Sequence, residues 1–304
     1  MIAKSRILIF GAGVIGSAYA TKFIEAGFDV TLFARSNKFI ALKEKGIQYN
    51  EKGKTKSLKV NVINTLEHDD VYDFIFVTVR YEQSEAALLT LKDNKSKNIV
   101  TMMNNSFGFS LWQRIIGDKL LPAFPGIGGQ IRDGVLYARF PPKFLAGAVF
   151  GEVNGSVTER IKSLAELFEA ANLPYKIKNN MNDYLITHSA SNIAMVGALH
   201  HENKIVDEKT IRSRKTAHGI TVTLKKYLNA IQKAGVTLEP SLYKIILKCP
   251  SFILDFFFMI WLRTKMVNDM LVSEFANSAN NEVLKLNKDL LHFLKRNNVN
   301  TDKL

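Results

Sequence analysis

The chain has 304 residues, of which 47% are hydrophobic and 23% charged, a composition typical of a soluble globular protein. Its single cysteine, Cys249, excludes an intrachain disulfide. The formal net charge is +13, but the basic residues are scattered without interleaved aromatic residues, so no nucleic-acid partner is expected. The first residues do not read as a secretory signal, and no apolar stretch reaches the about 20 residues of a membrane helix. We therefore expect a cytoplasmic protein without a membrane partner.

The segment "ILIFGAGVIGSAYA", residues 7–20, joins an apolar strand to a helix through a glycine-rich turn. Arg6 to Phe10 is typical of a short buried parallel strand. Apolar residues then recur at helical spacing until Gly27, which predicts the end of the helix. A second strand, "DVTLFA", follows at once, so this unit has the size of a nucleotide-binding half-fold.

Each of the three glycines in the turn has a predicted role. Gly11 lets the chain turn tightly off the strand, and Gly16 lets the helix pack closely against it. Gly13 leaves room for a pyrophosphate at the helix N-terminus, where N–H groups favour anions. Because the fingerprint follows a strand and opens a helix, it predicts nucleotide binding. A glycine-rich turn without a ligand is the alternative.

The residues after the second strand indicate which nucleotide is bound. This strand ends in "LFARSNK" and has no carboxylate where NAD enzymes hold the ribose 2′-hydroxyl. Arg35, Ser36 and Lys38 instead offer charge and hydrogen bonds to a 2′-phosphate. The sequence therefore predicts NADP(H) as the cofactor and Arg35 as its phosphate ligand. An ordinary exposed loop arginine is the alternative.

Two later strands also end in polar residues, namely "YDFIFVTVR" at 72–80 and "KNIVTMMNNSFG" at 97–108. In doubly wound sheets, ligands bind at the carboxyl ends of the strands. The residues expected near the nicotinamide are therefore Thr78, Arg80, Gln83, Asn104 and Asn105.

The remaining pattern predicts two domains. Shorter strands are expected around 120–124, 134–139 and 147–153, a loop at "FPGIGGQ" (124–130), a helix at "TERIKSLAELFEAAN", and helical stretches at 181–201, 207–234, 239–264 and 266–296. The predicted fold class is thus α/β, an N-terminal Rossmann-type doubly wound parallel sheet (1–178) followed by a C-terminal all-helical domain (179–304). We expect the substrate in the cleft between these domains.

The most apolar stretch is "FILDFFFMIWL", residues 252–262. It has about half the length that spans a bilayer, and Asp255 interrupts it. We interpret it as a buried or interface helix, and a homodimer surface is the expectation if it is exposed. A patch that binds the membrane surface is the alternative.

The order and spacing of these motifs resemble those of the ketopantoate reductase family over most of the chain. The resemblance implies reduction of a 2-oxo acid with NADPH. Thr78, Arg80 and Gln83 stand where the family has Thr-x-Lys-x-x-Gln, so an arginine replaces the lysine. The segment "NNSFG" resembles the family's Gln-Asn-Gly-x-Gly turn, which implies that Asn105 lies near the nicotinamide and the substrate.

The segment "NNEVLKLNKDLLHFLKRNNV" is similar to a late family helix in which a glutamate binds the substrate hydroxyl. The resemblance places Glu282 at that position. Phe275, Ala279, Leu286 and Leu290 fall on the same helix face, so the carboxylate is expected to point inward and to need a partner or a function. A structural hydrogen bond is the alternative.

The family's general acid is a lysine two residues after a tryptophan in the first helix of the C-terminal domain. Here Tyr184 matches the tryptophan, and the lysine position falls on Ile186 within "NDYLITHSASNIAMVGAL", which has no lysine. His188 is the nearest proton carrier, and Tyr184, His188 and Asn192 share one helix face. His188 is therefore the candidate general acid, with a structural histidine as the alternative. The family's serine and asparagine before the glutamate have only off-register counterparts, Asn268 and Ser273.

The sequence thus predicts an NADPH-dependent reductase of a 2-oxo acid or related carbonyl, without a metal. In this hypothesis Asn105 positions the nicotinamide amide or the carbonyl, Arg80 binds a carboxylate, and Glu282 orients a substrate hydroxyl. His188 would protonate the developing alkoxide. Two alternatives stay open: a non-catalytic NADP(H)-binding sensor or partner-binding protein, and a β-hydroxyacid or amino acid dehydrogenase.

Overall fold

The computed structural model describes residues 5–140, 147–199, 208–264, 280–302 and 304. The chain divides into two compact units. The first comprises Met1–Met103 and Phe109–Met181, and the second comprises Asn104–Gly108 and Asn182–Leu304.

The first unit contains strands and helices in alternation. The strands are β1 (Arg6–Phe10), β2 (Asp29–Phe33), β3 (Ile47–Glu51), β4 (Lys54–Leu58), β5 (Asn61–Ile63), β6 (Phe74–Val77), β7 (Ile99–Met102), β8 (Leu120–Phe124), β9 (Gly128–Arg132), β10 (Val135–Arg139), β11 (Ala148–Phe150) and β12 (Tyr175–Ile177). The helices are α1 (Val14–Glu25), α2 (Ser36–Lys45), α3 (Ser84–Leu91), α4 (Ser110–Ile116) and α5 (Glu159–Ala170).

A mixed, mainly parallel sheet forms the core of this unit, in the order β12-β11-β8-β7-β6-β1-β2-β5. Its strands pair in parallel except for β8 with β11. Ile7, Leu8 and Ile9 of the central strand β1 are completely buried, as expected for a strand that is covered on both faces. The predicted α/β class with a Rossmann-type sheet is confirmed.

The helices around this sheet follow the predicted patterns. Helix α1 ends at Glu25, and Gly27 follows with φ +86°, a left-handed conformation that suits glycine. In α5 and at its C-cap residue Ala171, the side chains predicted to share a buried face are all buried, namely Ile161, Leu164, Ala165, Phe168 and Ala171.

A second sheet, in the order β4-β3-β10-β9, was not predicted. The predicted loop at 124–130 is wrong in part, because β9 begins at Gly128. Gly129 is required there, since a Cβ atom would lie 2.4 Å from the Tyr137 carbonyl oxygen of the paired strand β10. Glycine therefore permits close approach of backbone in this strand and does not mark a loop.

The second unit contains the helices α6 (Met181–Leu199), α7 (Glu208–Ile211), α8 (Arg214–Lys233), α9 (Leu242–Lys248), α10 (Ser251–Trp261) and α11 (Asn280–Arg296). The long helices predicted at 207–234 and 239–264 are each divided into two, α7 with α8 and α9 with α10. Ser213 caps α8 by accepting a hydrogen bond from the Thr216 amide. Pro250 is the N-cap residue of α10, because proline is tolerated at a helix start but not in its interior. Phe275, Ala279, Asn268 and Ser273 lie outside the described residues.

The apolar stretch forms α10, which is only partly buried. Leu254 and Phe258 are buried, and Asp255 Oδ2 contacts His218 Nδ1 of α8 at 2.8 Å. Large side chains on the rest of its surface are exposed, namely Phe252, Ile253, Phe256, Phe257 and Ile260. Of the predicted alternatives, a buried or an interface helix, complete burial is wrong for the described residues, and the interface stays a prediction. None of the helices described is both long enough and apolar enough to cross a bilayer.

Candidate functional site

The glycine-rich turn between β1 and α1 is held by the end of β6. Gly11 has φ +124°, a conformation that side-chain-bearing residues rarely adopt. The Thr78 hydroxyl donates to the Gly11 carbonyl oxygen at 2.8 Å, and the Thr78 amide donates to that of Phe10 at 3.0 Å. Thr78 is buried and so supports the turn from beneath.

Gly16 is tightly packed, whereas Gly13 borders open space. A Cβ on Gly16 would lie 1.9 Å from the Gly11 carbonyl oxygen and 2.9 Å from Ile9 Cγ2, so only hydrogen fits there. A Cβ on Gly13 would meet no atom of the described chain within 4 Å. Gly16 is thus needed for packing of helix on strand, whereas the space at Gly13 is open.

The N-terminus of α1 lies beside this open space. Gly13 is its N-cap residue and no side chain caps it, so N–H groups of the first turn are available to an anion. A 12-residue helix contributes its full dipole at this end. The turn therefore fits the phosphate groups of a dinucleotide.

Two basic side chains, Lys38 and Arg80, lie at the same turn. Lys38 Nζ donates to the carbonyl oxygen of Ala12 at 3.1 Å. Burial, and then the nearby charge of Arg80, lower the pKa of Lys38. Arg35 is exposed immediately before α2, and Ser36 has φ +52°. Two cations, Lys38 and Arg80, thus lie close enough to repel each other at the turn, an arrangement that a bound anion would stabilise.

Gln83 lies farther along the segment that follows β6. It ends a short 3₁₀ turn, Tyr81–Gln83, and its side chain is exposed. Its amide donates to the carbonyl oxygen of Arg80 at 2.9 Å. Gln83 thus lies on the surface of the first unit, and among the described residues no polar side chain is hydrogen-bonded to it in a way that would define a role.

In the second unit, the side chain of Asn105 forms hydrogen bonds within its own loop. Its Oδ1 accepts hydrogen bonds from the amides of Phe107 and Gly108 at 2.9 and 3.0 Å, and its Nδ2 donates to the Gly108 carbonyl oxygen at 3.0 Å. Asn105 is only 2% exposed. Its amide therefore shapes the loop, and the predicted contact with nicotinamide or substrate stays a prediction.

The neighbouring Asn104 joins two helices of the second unit. Its Nδ2 donates to Glu282 Oε1 of α11 at 2.8 Å, and its Oδ1 accepts from Asn192 Nδ2 of α6 at 2.8 Å. We call these three residues the amide–carboxylate cluster. Sequence reasoning placed Asn104 near the nicotinamide but assigned the chemical role to Asn105, because the family pattern has one asparagine there.

Helix α6 extends the amide–carboxylate cluster along one face. One and two turns before Asn192 lie His188 and Tyr184, whose rings are parallel within 8° with centroids 6.1 Å apart. On the same helix, Ser191 Oγ is hydrogen-bonded to Tyr243 Oη of α9 at 2.5 Å. Ile186, at the expected lysine position, is completely buried.

The protonation of His188 differs from the expected one. Burial lowers the pKa of His188 to about 4, because a charged imidazolium is disfavoured away from water. At neutral pH the imidazole is therefore neutral and holds no acidic proton of suitable strength. His188 lies on the predicted face, but its surroundings oppose the predicted role as a general acid.

The described residues contain no group of three or more His, Cys, Asp and Glu side chains that could hold a metal ion.

Comparisons with known proteins show which family model and which proteins this chain resembles. Residues 7–110 match the family model described as ketopantoate reductase PanE/ApbA. A 2-dehydropantoate 2-reductase from Archaeoglobus fulgidus is 26% identical over 178 residues, which are 58% of this chain and 57% of that protein. The alignment thus spans little more than half of the relative's length.

Solved structures share the fold over nearly the whole chain. The crystal structure of 2-dehydropantoate 2-reductase from Geobacter metallireducens superposes with a TM-score of 0.71 at 15% identity, covering 97% of this chain and 95% of that one. The ternary structure of D-mandelate dehydrogenase with NADH and anilino(oxo)acetate gives 0.69 at 17% identity, covering 97% and 100%. At such low identity, these likenesses establish the fold alone.

Proposed function

Since the chain belongs to the ketopantoate reductase-like family, we propose that it is an NADP(H)-dependent reductase of a 2-oxo acid or a related carbonyl compound. The observation that carries this proposal is the open space at Gly13, beside an uncapped helix N-terminus and the Lys38 ammonium. The segment matched by the family model contains this turn.

The first unit would hold the cofactor. In the proposal, Gly13 and the first turn of α1 bind the pyrophosphate, and Arg35 binds the 2′-phosphate. We reassign Arg80 from a substrate carboxylate to the cofactor phosphates, because its charge acts on Lys38, whose ammonium is bonded to the turn. When bound, a reduced nicotinamide supplies the hydride that such a reduction requires.

The second unit would bind the substrate at the amide–carboxylate cluster. Glu282 can accept a hydrogen bond from a substrate hydroxyl, while Asn104 fixes the orientation of its carboxylate. Asn192 holds Asn104 in turn. A neighbour of the same fold was solved with NADH and anilino(oxo)acetate, which is consistent with an oxo acid as the substrate class.

The test is the absorbance decrease of NADPH in the presence of a panel of 2-oxo acids that includes ketopantoate, with NADH in parallel. Turnover of one panel member, faster with NADPH than with NADH, is the expected result. Binding of neither cofactor, measured by fluorescence titration, would contradict the proposal at its first step.

A non-catalytic NADP(H)-binding protein is the second candidate. It is favoured by one observation: the position expected for the family's lysine is Ile186, which is completely buried. Tight NADPH binding without turnover of any panel member would select this alternative.

A further inference from the structure

We propose that the exposed side of α10 binds the surface of a bilayer that contains anionic lipids. We call this side the α10 face, and it consists of five large apolar side chains, namely Phe252, Ile253, Phe256, Phe257 and Ile260. A contiguous exposed apolar patch indicates a binding surface, whereas single exposed apolar residues are ordinary. This inference goes beyond the proposed function, because its residues belong to none of the groups assigned to the cofactor or the substrate.

The α10 face is continuous along one side of the helix. Its members follow each other at spacings of one, three and four residues, so they share a side. Leu254 and Phe258, on the other side, are buried. Helix α10 is therefore amphipathic in an unusual sense, since its inner side and its exposed side are both apolar.

Contacts with α8 determine which side of α10 is exposed. Lys225 Nζ of α8 donates to the carbonyl oxygen of Cys249, the second residue before α10, at 2.5 Å. His218 Nδ1, earlier in α8, contacts Oδ2 of Asp255, later in α10, at 2.8 Å. The two helices therefore run antiparallel, and the one acidic side chain of α10 is turned toward α8, where it is 14% exposed.

Cations border the α10 face at both ends. Lys248 is exposed at the end of α9, just before α10 begins. Arg263 is exposed in the turn that follows α10, where its amide donates to the carbonyl oxygen of Ile260 at 3.1 Å. Arg214 of α8 is also exposed, and its charge acts on Asp255 of α10. An apolar surface with cations at its borders is complementary to a layer of anionic headgroups.

The charges favour a bilayer, the alternative left open by the sequence, over a second copy of the chain, the expected occupant. A two-fold dimer places the same patch on both sides of its interface. Lys248 and Arg263 of each copy would then meet the cations of the other, while Asp255 is turned away from both. Anionic headgroups attract these cations instead.

The area of the α10 face supports the same occupant. Its side chains are between 46% and 73% exposed, so together they offer on the order of 500 Å² of apolar surface. A stable dimer buries about 800 Å² on each partner. An interfacial helix needs less, because it inserts only one side, about 5–10 Å deep, into the headgroup region. We therefore expect α10 to lie in the plane of the bilayer surface.

Vesicle sedimentation of the full chain tests the proposal. The wild type should bind vesicles of phosphatidylcholine with about 30% phosphatidylserine at least about tenfold more tightly than vesicles of phosphatidylcholine alone. Added salt should reduce this difference, because it screens the attraction between the cations and the headgroups.

A double variant removes apolar surface without changing charge. Phe252→Ser combined with Phe256→Ser is expected to weaken binding to the anionic vesicles by at least about 100-fold. Because both side chains are exposed, its urea unfolding midpoint should equal that of the wild type. Leu89→Ser combined with Val157→Ser, at exposed apolar positions of the first unit, is the matched control and should bind as the wild type does.

A second double variant removes the bordering charges. Lys248→Gln combined with Arg263→Gln is expected to weaken binding to the anionic vesicles by on the order of 30-fold, the contribution of two cations near the surface. Lys54→Gln combined with Lys97→Gln makes the same change of net charge at exposed positions of the first unit. This control should stay within about threefold of the wild type.

Trp261 of α10 reports where the chain inserts. It is half-buried, whereas the other tryptophan, Trp112, is buried in the first unit. Wild-type fluorescence should shift to shorter wavelength when anionic vesicles are added, because the indole leaves water. Trp261→Phe should bind with the same affinity and lack the shift.

Three results would overturn the proposal. The first is a wild type that sediments with neither kind of vesicle. The second is equal binding of the wild type and of Phe252→Ser with Phe256→Ser, which would reduce the contact to a general attraction of a basic chain. The third is a wild-type dimer in analytical ultracentrifugation that the same double variant dissociates, which would assign the α10 face to a second copy.

Discussion

Asn104 and Glu282 are 178 positions apart in the chain and are joined by a hydrogen bond of 2.8 Å from Nδ2 to Oε1. The segment that carries Asn104 follows β7 directly, and Glu282 lies in the first turn of α11. The second bond of Asn104, from Asn192, uses the other atom of the same amide. One side chain therefore aligns a carboxylate of α11 with a polar residue of α6.

Replacement of Asn104 by alanine is expected to lower the free energy of unfolding by about 2 to 4 kcal/mol, because both hydrogen bonds are lost and one of them is to a charged group. Urea unfolding measures this loss. Asn192→Ala removes only one of the two bonds and serves as the control, with a loss of about 1 kcal/mol. Equal losses in the two variants would show that Asn104 does not connect the helices.

The glycines of the turn allow a matched pair of substitutions. Gly16→Ala is expected to destabilise the chain by more than about 3 kcal/mol, because the new methyl group would collide with the Gly11 carbonyl oxygen. Gly13→Ala should cost less than about 1 kcal/mol, since φ is −80° and the space is open.

The same pair tests cofactor binding. The methyl group of Gly13→Ala fills the space proposed for the pyrophosphate, so NADPH affinity should fall by at least about tenfold in a protein of nearly normal stability. Fluorescence titration and thermal unfolding together measure this. Unchanged affinity in Gly13→Ala would place the cofactor elsewhere.

The parts of the fold that the sequence predicts are those in which local pattern and environment agree. Strand β1 begins and ends where predicted, because a continuous apolar run is required in a strand that is covered on both faces. The strands β3 and β4 were missed, because both are short and polar, β3 being mostly half-buried and β4 mostly exposed. Their stability comes from pairing with each other and with β10, which a local pattern does not show.

In the candidate site, too, features set by the local sequence were predicted, and features set by distant residues were not. Strand–turn–helix spacing predicted the glycine turn, because phosphate binding depends on local backbone geometry. Which of two adjacent asparagines faces the other helices depends on the path of the loop, and the sequence favoured Asn105 over Asn104. The state of His188 was also beyond the sequence, since its pKa depends on burial by distant residues.

Arg35 tests the predicted choice of NADP(H). Arg35→Ala should weaken NADPH binding by about tenfold or more, the value of a lost charge-assisted hydrogen bond, and leave NADH binding unchanged. Arg114→Ala, which changes an exposed arginine of α4, is the control for net charge. Parallel titrations with both cofactors give the ratio of the NADPH Kd to the NADH Kd for each protein. If the wild type and Arg35→Ala each bind NADH and NADPH with equal affinity, Arg35 is an ordinary surface residue.

Burial of His188 makes stability depend on pH. The pKa is about 4 in the folded chain and about 6.5 in the unfolded chain, so the unfolded state binds the proton first as the pH falls. Stability is unaffected above pH 6.5 and is lost between about pH 6.5 and 4, by on the order of 3 kcal/mol.

Urea unfolding of the wild type and of His188→Gln from pH 7.5 to 4 measures this loss, because glutamine is neutral throughout. The difference between the two curves isolates His188 from carboxylates that titrate in the same range. If the two curves run parallel instead, the pKa of His188 is the same in the folded and the unfolded chain, and His188 regains its claim to the role of general acid.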